Sequence, residues 1–393
     1  MTTAILTINA GSSSIKFALF RAEAAALDEL TRGQVEGLGA KPRFAATATG
    51  GKVLAERTFA AGDVATHDAA LRAILDFLDT SFGAERIVAI GHRVVHGGVR
   101  YAEPVAVDDA VMAFLSSLNP LAPLHQPHNL SAVAAARATF PEAIQVACFD
   151  TAFHRAHSWV NDTFALPRQL YEEGVRRYGF HGLSYEFVAE ELRSVAPHHA
   201  AGRLVVAHLG NGASMCALQG GQSVGSTMGF TALDGLPMGT RCGQLDPGVV
   251  LYLMSARGMG AKAIEDMLYR QSGLKGLSGL SHDMRELEAA GTPEAMQAIA
   301  YFVARIRREL GAMTALLSGL DALAFAGGIG ENAWRVREQV CAGFEWLGIE
   351  LDEMRNRESQ TVISSDRSRV RVFVIKTNEE RMIARHTKRL ALG

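Results

Sequence analysis

Residues 4–20 read AILTINAGSSSIKFALF. Ala4 to Ile8 is an apolar, strand-like run, and Gly11-Ser12-Ser13-Ser14 interrupts it. Ile15, Phe17 and Leu19 then alternate with Lys16 and Ala18, which predicts a hairpin with Lys16 on the face opposite the apolar trio. The turn offers backbone N–H groups and hydroxyls to phosphate oxygens, and Lys16 adds a point charge. It reads equally as a plain surface turn, and GxxxxGK[ST] occurs nowhere in the chain. Residues 204–221, LVVAHLGNGASMCALQGG, repeat the strand, polar turn, strand grammar and hint at a duplicated architecture.

Strands alternate with amphipathic helices elsewhere. Asp68 to Asp79 carries Leu71, Ile74, Leu75 and Leu78 on one helical face. Pro293 to Leu317 sets Met296, Ile299, Val303, Ile306, Leu310 and Met313 at helical spacing, with Thr292 as N-cap and Gly319 past the end. The pattern predicts an α/β fold with ligands beyond the carboxyl ends of strands. At 393 residues, two domains are expected. A formal charge of −2 gives no long-range attraction for nucleic acid or anionic lipid. Cys148, Cys216, Cys242 and Cys341 form no CxxC pair, which fits a reducing compartment. With no signal-like start and no apolar run of membrane-spanning length, the expectation is a soluble cytoplasmic protein.

Several segments carry chemistry. Gly91-His92-Arg93-Val94-Val95-His96-Gly97-Gly98 follows a strand-like run and sets a guanidinium among small residues, suited to a carboxylate or phosphoryl oxygen. Asp150 follows the strand-like Ile144 to Phe149 and reads either as a metal or acid–base carboxylate or as a turn cap. His181 precedes a helix for which Ser184 is the expected cap, a placement that favours an anion. The irregular loop Gly235 to Gly248 holds a single Arg241. Gly327-Gly328-Ile329-Gly330-Glu331-Asn332 between a strand and a helix follows a nucleotide-binding grammar, with an imperfect match to GxGxxG.

Taken together, NAGSSSIKF, GHRVVHGG, APLHQPHN, FDTAFH, RRYGFHGLS, HLGNGAS, MGTRCGQLDPG, AFAGGIGEN and TNEERMIARHT resemble the acetate kinase family, in family order from residue 9 to residue 387. The resemblance implies the fold shared by sugar kinases, Hsp70 ATPase domains and actin: two related α/β domains with ribonuclease H-like halves around a cleft. Residues 1–150 would form the first domain, to which a helix at 376–393 returns, and 151–375 the C-terminal, nucleotide-binding one. It also implies a homodimer and ATP-dependent phosphorylation of acetate or another short-chain carboxylate with Mg²⁺, or Mn²⁺.

Carried over by motif, Asn9 and Glu379 would hold the metal. Arg93, Asp150, His181 and Arg241 would be catalytic, and Arg93, Val95, Leu124, His125, Phe180 and Ala232 would surround the substrate. Lys16, Ser12 and Ser14, then His208, Leu209, Gly210, Asn211 and Gly212, then Asp283, Met284 and Arg285, and lastly Gly328, Ile329, Gly330, Glu331 and Asn332 would hold ATP. Gln126, Cys242 and Gln244 depart from residues common in the family, and Ala232 stands where some members have Pro, which would enlarge the acyl pocket. Propionate and butyrate kinases are the rivals within this class, and a non-catalytic Hsp70- or actin-like ATPase is the rival outside it.

Overall fold

A computed structural model describes the chain except Met1, Ser12, Ser13, Ala24, Ala25, Ala26, Ala40 and Ala61, so the Ser12 expectation lies outside the described residues. The chain divides into two compact units, Met1–Ala152 with Asn378–Gly393, and Phe153–Thr377.

In the first unit the opening hairpin forms from β1 (Thr2–Ala10) and β2 (Ser14–Ala22), in antiparallel register from Ala4↔Arg21 to Ala10↔Ile15. β3 (Leu27–Glu36), β4 (Arg43–Ala48) and β5 (Val53–Thr58) extend the meander. β6 (Glu85–Val94), the two-residue β7 (Val105–Ala106) and β8 (Ile144–Phe149) complete an eight-stranded sheet ordered β5-β4-β3-β2-β1-β6-β8-β7. Ile15, Phe17 and Leu19 are buried and Lys16 is exposed, as the alternation requires. Phe17 meets Phe44 and Phe77, the latter from the helix His67–Phe82, which Thr66 caps through Ala69 N–H. Each fully buried Phe or Leu in this cluster stabilises by roughly 1.5–3 kcal/mol.

The second unit holds β9 (Arg203–Leu209), β10 (Ala213–Gln219), β11 (Gln222–Ser226), β12 (Ala322–Ala326) and β13 (Arg371–Val374), ordered β11-β10-β9-β12-β13. β11, β10 and β9 are antiparallel neighbours, and β9, β12 and β13 run parallel. The same order and directions occur in the first unit as β3-β2-β1-β6-β8. One five-stranded arrangement is therefore built twice. The long helix Pro293–Leu316 is capped by Thr292, with Pro293 in its first turn. Ile299, Val303, Ile306, Leu310 and Met313 are buried as expected. Met296 is not, at 48% exposure, because Ala295 and Ala298 supply the buried face of the first turn. Among the described residues no helix is long and apolar enough to cross a membrane.

The C-terminal helix Glu379–Leu392 packs on β6 at Gly91, where a Cβ would stand 2.2 Å from Thr387 Oγ1 and 2.5 Å from Ile383 Cγ2. Gly91→Ala should therefore lower unfolding stability by about 1–3 kcal/mol. A chemical denaturation curve with an earlier midpoint and unchanged slope is the expected result; a wild-type midpoint would show that the helix docks without this contact.

Candidate active site

In the first unit the carboxyl ends of parallel strands β1, β6 and β8 carry Asn9, Arg93 and, one residue past β8, Asp150. Arg93 donates through Nε to Asp150 Oδ1 at 2.9 Å, through Nη2 to Asp150 Oδ2 at 2.6 Å and through Nη1 to Asn9 Oδ1 at 3.2 Å. Glu379, the first residue of the C-terminal helix, sets Oε2 3.9 Å from Arg93 Nε. Burial works against the Arg93 charge, but Asp150 and Glu379 outweigh it and raise its pKa. Burial also raises the Glu379 carboxyl above its ordinary range; Arg93 and Lys16 oppose this, and Asp150 and Glu380 reinforce it. One guanidinium thus serves two mostly buried carboxylates. Among the described residues no group of three or more His, Cys, Asp or Glu could hold a metal by itself.

Neighbouring side chains fix these backbones. Asn129 donates to Ala10 C=O at 2.6 Å and accepts from Val95 N–H at 3.0 Å, tying β1 to the end of β6. Gln126, fully buried, accepts from His96 N–H and donates to the carbonyls of His96 and Leu115. Leu124 lies in the turn before the helix Gln126–Thr139, and His125 is the residue immediately preceding that helix. Lys16 is the register partner of Asn9, and the Ser14 carbonyl accepts from Gly11 N–H to close the turn.

In the second unit His181 itself, at φ 58°, precedes the helix Gly182–Val195. Ser184 is not the cap; it lies inside the helix and its Oγ is 2.7 Å from His208 Nδ1. A hydroxyl one turn into the helix reaches β9 more directly than it reaches its own backbone. His181 Nδ1 is 2.9 Å from Ser214 Oγ, and the His181 and His208 rings stack at 4.4 Å. Two positive rings at that distance would repel by ~4 kcal/mol at an effective dielectric of ~20. Arg241 donates through Nη1 to Ala232 C=O at 2.8 Å. A Cβ on Gly212 would stand 3.2 Å from His181 Nε2 and 3.5 Å from Arg241 Nη2, so both cationic-type groups border the same bare backbone. Phe180 is buried, its carbonyl accepting from His154 Nε2.

The turn Gly210-Asn211-Gly212 closes through Gly210 N–H to Gly212 C=O, and Asn211 C=O accepts from Gly239 N–H. Gly239 in turn packs on His282, beside Asp283. Asp283 caps the helix Met284–Ala290 through Arg285 N–H. The hydrogen bonds from Arg285 hold its carboxyl down at about 2. Gly327–Asn332 forms a short helix directly after β12. Gly327, at φ 74°, passes so close to Leu209 that a Cβ would meet its carbonyl at 2.7 Å. The structure thus joins His208 and Leu209 to Gly328, Ile329 and Gly330 across adjacent strands. Asn332 donates to Gly328 C=O, and Glu331 Oε1 accepts from Gly327 N–H, Thr377 N–H and Thr377 Oγ. Ser214, Ser184, Gln126 and Asn129 all stand inside quoted motifs, yet their partners are distant in sequence.

Glycine-rich turns and cationic side chains at the strand ends of a duplicated sheet define a two-unit α/β protein with loops suited to anions. The chain belongs to the acetokinase family, whose profile matches residues 4–385. It is 60% identical to an acetate kinase of Methylocella silvestris, over 98% of each chain. Among solved structures it is similar to the acetate kinase of Porphyromonas gingivalis, at 37% identity and a TM-score of 0.89 over all of both chains. It is also similar to a propionate kinase of Francisella tularensis, at 36% identity and a TM-score of 0.91 over 98% of this chain and 99% of that one.

Arg337, fully buried, donates to Gly330 C=O at 2.8 Å and to Asn356 Oδ1, Asn356 C=O and Ser359 Oγ. Burial draws its pKa down to about 10. Arg337→Lys keeps the charge and loses the fork, so stability should fall by roughly 2–3 kcal/mol. The check is urea unfolding alongside the KM for nucleotide, which should rise as Gly330 loses its anchor. An unmoved midpoint would mean that one ammonium satisfies the site.

Proposed function

We propose that this chain catalyses reversible ATP-dependent phosphorylation of acetate to acetyl phosphate. The observation that carries the reading is the Arg93–Asp150 pair at the strand ends of the first unit, in a chain matching the acetokinase family from residue 4 to residue 385. A carboxylate is ionised at pH 7 and needs no base to become a nucleophile. The obstacle is repulsion between two anions, ~4 kcal/mol per unit pair at ~4 Å and a dielectric of ~20. Arg93 and Arg241 offset it, and His125 and His181 donate to the phosphoryl oxygens as it moves in line. Asp150 holds the Arg93 fork instead of taking a proton. His208, Leu209, Gly210, Asn211 and Gly212, with Asp283, Met284 and Arg285 and with Gly328, Ile329, Gly330, Glu331 and Asn332, hold the nucleotide, and the family resemblance assigns Lys16 and Ser14 to its phosphates.

Asn9 and Glu379 would hold Mg²⁺ or Mn²⁺. They offer the hard oxygen donors such ions take, and the Glu379 carboxyl, raised by burial, is one a cation would stabilise. When bound, the ion neutralises phosphate charge.

The family resemblance assigns the apolar Val95, Leu124, Phe180 and Ala232 to the acyl group. The small Ala232 favours propionate as a second substrate. Acyl phosphate trapped with hydroxylamine tests the reading: product with acetate, less with propionate and none with glycerol is expected. ATP loss independent of carboxylate, with nothing trapped, would sink it in favour of an ATPase. Ala232→Pro should cut the propionate-to-acetate ratio of kcat/KM by about tenfold, the worth of one methylene.

The working form is a homodimer. The helix Pro247–Ser255 buries none of its residues, and Leu251, Tyr252 and Met254 are 65%, 55% and 50% exposed. Single apolar residues at a surface are ordinary, but a cluster of exposed apolar side chains on one helix suits a second copy. Leu251→Glu should shift the mass in sedimentation from dimer to monomer; an unchanged dimer would place the interface elsewhere.

A further inference from the structure

We propose that Tyr185 and Ser214 are positioning residues that lock His181 in the neutral tautomer carrying its proton on Nε2. The inference rests on the reading of His181 as a phosphoryl ligand, and supplies what that reading leaves open: which ring nitrogen donates, and what decides it.

Tyr185 lies one turn beyond His181 on the same helix, its N–H bonded to the His181 carbonyl. Its hydroxyl meets Ser214 Oγ, and Ser214 Oγ meets His181 Nδ1 at 2.9 Å. Tyr185 and Ser214 are both fully buried. Among the described residues the Tyr185 hydroxyl has one partner, Ser214, and the Ser214 hydroxyl has two, Tyr185 and His181. A buried hydroxyl that donates to nothing is costly. Tyr185 can therefore spend its proton only on Ser214, and Ser214 can spend its own only on His181 Nδ1. All donors are satisfied in a single arrangement: Tyr185 to Ser214, Ser214 to Nδ1, and the His181 proton on Nε2. Burial raises the Tyr185 pKa well above its ordinary value, so the first donor in the chain keeps its proton throughout the working pH range.

The groups facing the ring agree. His208 stacks on it and takes its own hydroxyl, Ser184, at Nδ1. Arg241 Nη2 borders the same space over Gly212 as His181 Nε2. The Arg241 guanidinium in the same small space disfavours a second charge on His181, whereas a neutral Nε2–H still donates. The ring thus presents a fixed donor beside a fixed cation, with no proton to rearrange when charge develops on a phosphoryl oxygen.

The test uses the full-length protein labelled with nitrogen-15 histidine, with His181 assigned by its loss in His181→Gln. Long-range proton–nitrogen spectra should show Nδ1 bare and Nε2 protonated in the wild type. In Ser214→Ala and in Tyr185→Phe the same ring should show both tautomers. Turnover should fall roughly ten- to a hundredfold in Ser214→Ala, the cost of losing a group that orients a functional imidazole, with KM for ATP and for carboxylate unchanged. A protonated Nδ1 in the wild type, or a wild-type tautomer in both variants, would overturn the proposal whatever the activities. Should Ser214→Ala fail to fold, Tyr185→Phe removes one oxygen from a ring that otherwise stays in place, and the same spectra decide. Wild-type turnover in His181→Gln would overturn the phosphoryl reading beneath it, an outcome separate from the nitrogen signals.

Discussion

Two carboxylates and one guanidinium set the terms for the first unit. Asp150 and Glu379 are both largely withdrawn from water, and Arg93 is the cation that faces both. Buried charges persist only when paired and hydrogen-bonded. Arg93 must therefore sit at the end of β6, Asp150 just past β8 and Asn9 near the end of β1, because only there do adjacent parallel strands bring three such groups within one fork's reach. Glu379 comes from the far end of the chain, and the bare backbone of Gly91, two residues before Arg93, lets its helix approach. Asn129 and Gln126 then hold the strand ends by their backbones, which spares the functional side chains that task.

The second unit repeats the strand order and fills the equivalent ends differently. Where the first unit ends in acids around an arginine, the second ends in imidazoles, an arginine and glycine-rich backbone. A shared scaffold with different chemistry at its strand ends fits the proposed reaction, in which a cation and several anions would be managed together. The glycines follow from geometry and not from flexibility. Gly327 has no room for a Cβ against Leu209, and Gly212 leaves its space to His181 and Arg241.

Much of this was legible in the sequence because it is local. The hairpins showed through alternation in Ile15 to Leu19 and through the repeated grammar at Leu204 to Leu218, and the helix caps at Thr292 and the strand before Asp150 are short-range signals. The motif order also marked which loops would matter. Partners across the sheet were not legible. Ser184 looked like a cap because its hydroxyl's true partner, His208, lies on a strand that the sequence places elsewhere. Tyr185 stands just past a quoted motif, and nothing local distinguishes a tyrosine whose hydroxyl ends a relay from one that packs by its ring. Arg337 lies outside every quoted motif, and only the fold surrounds it with carbonyls.

The crossing from one unit to the other at Thr377 and Asn378 shows the same economy. Thr377 is held by its N–H and hydroxyl on Glu331, so the last residue of the second unit is pinned to the segment after β12. Asn378 caps the C-terminal helix through Arg381 N–H, so the first residue on the other side is pinned as well. No slack loop intervenes before Glu379. Glu331 thus anchors backbone through Oε1, which accepts from Gly327 and Thr377.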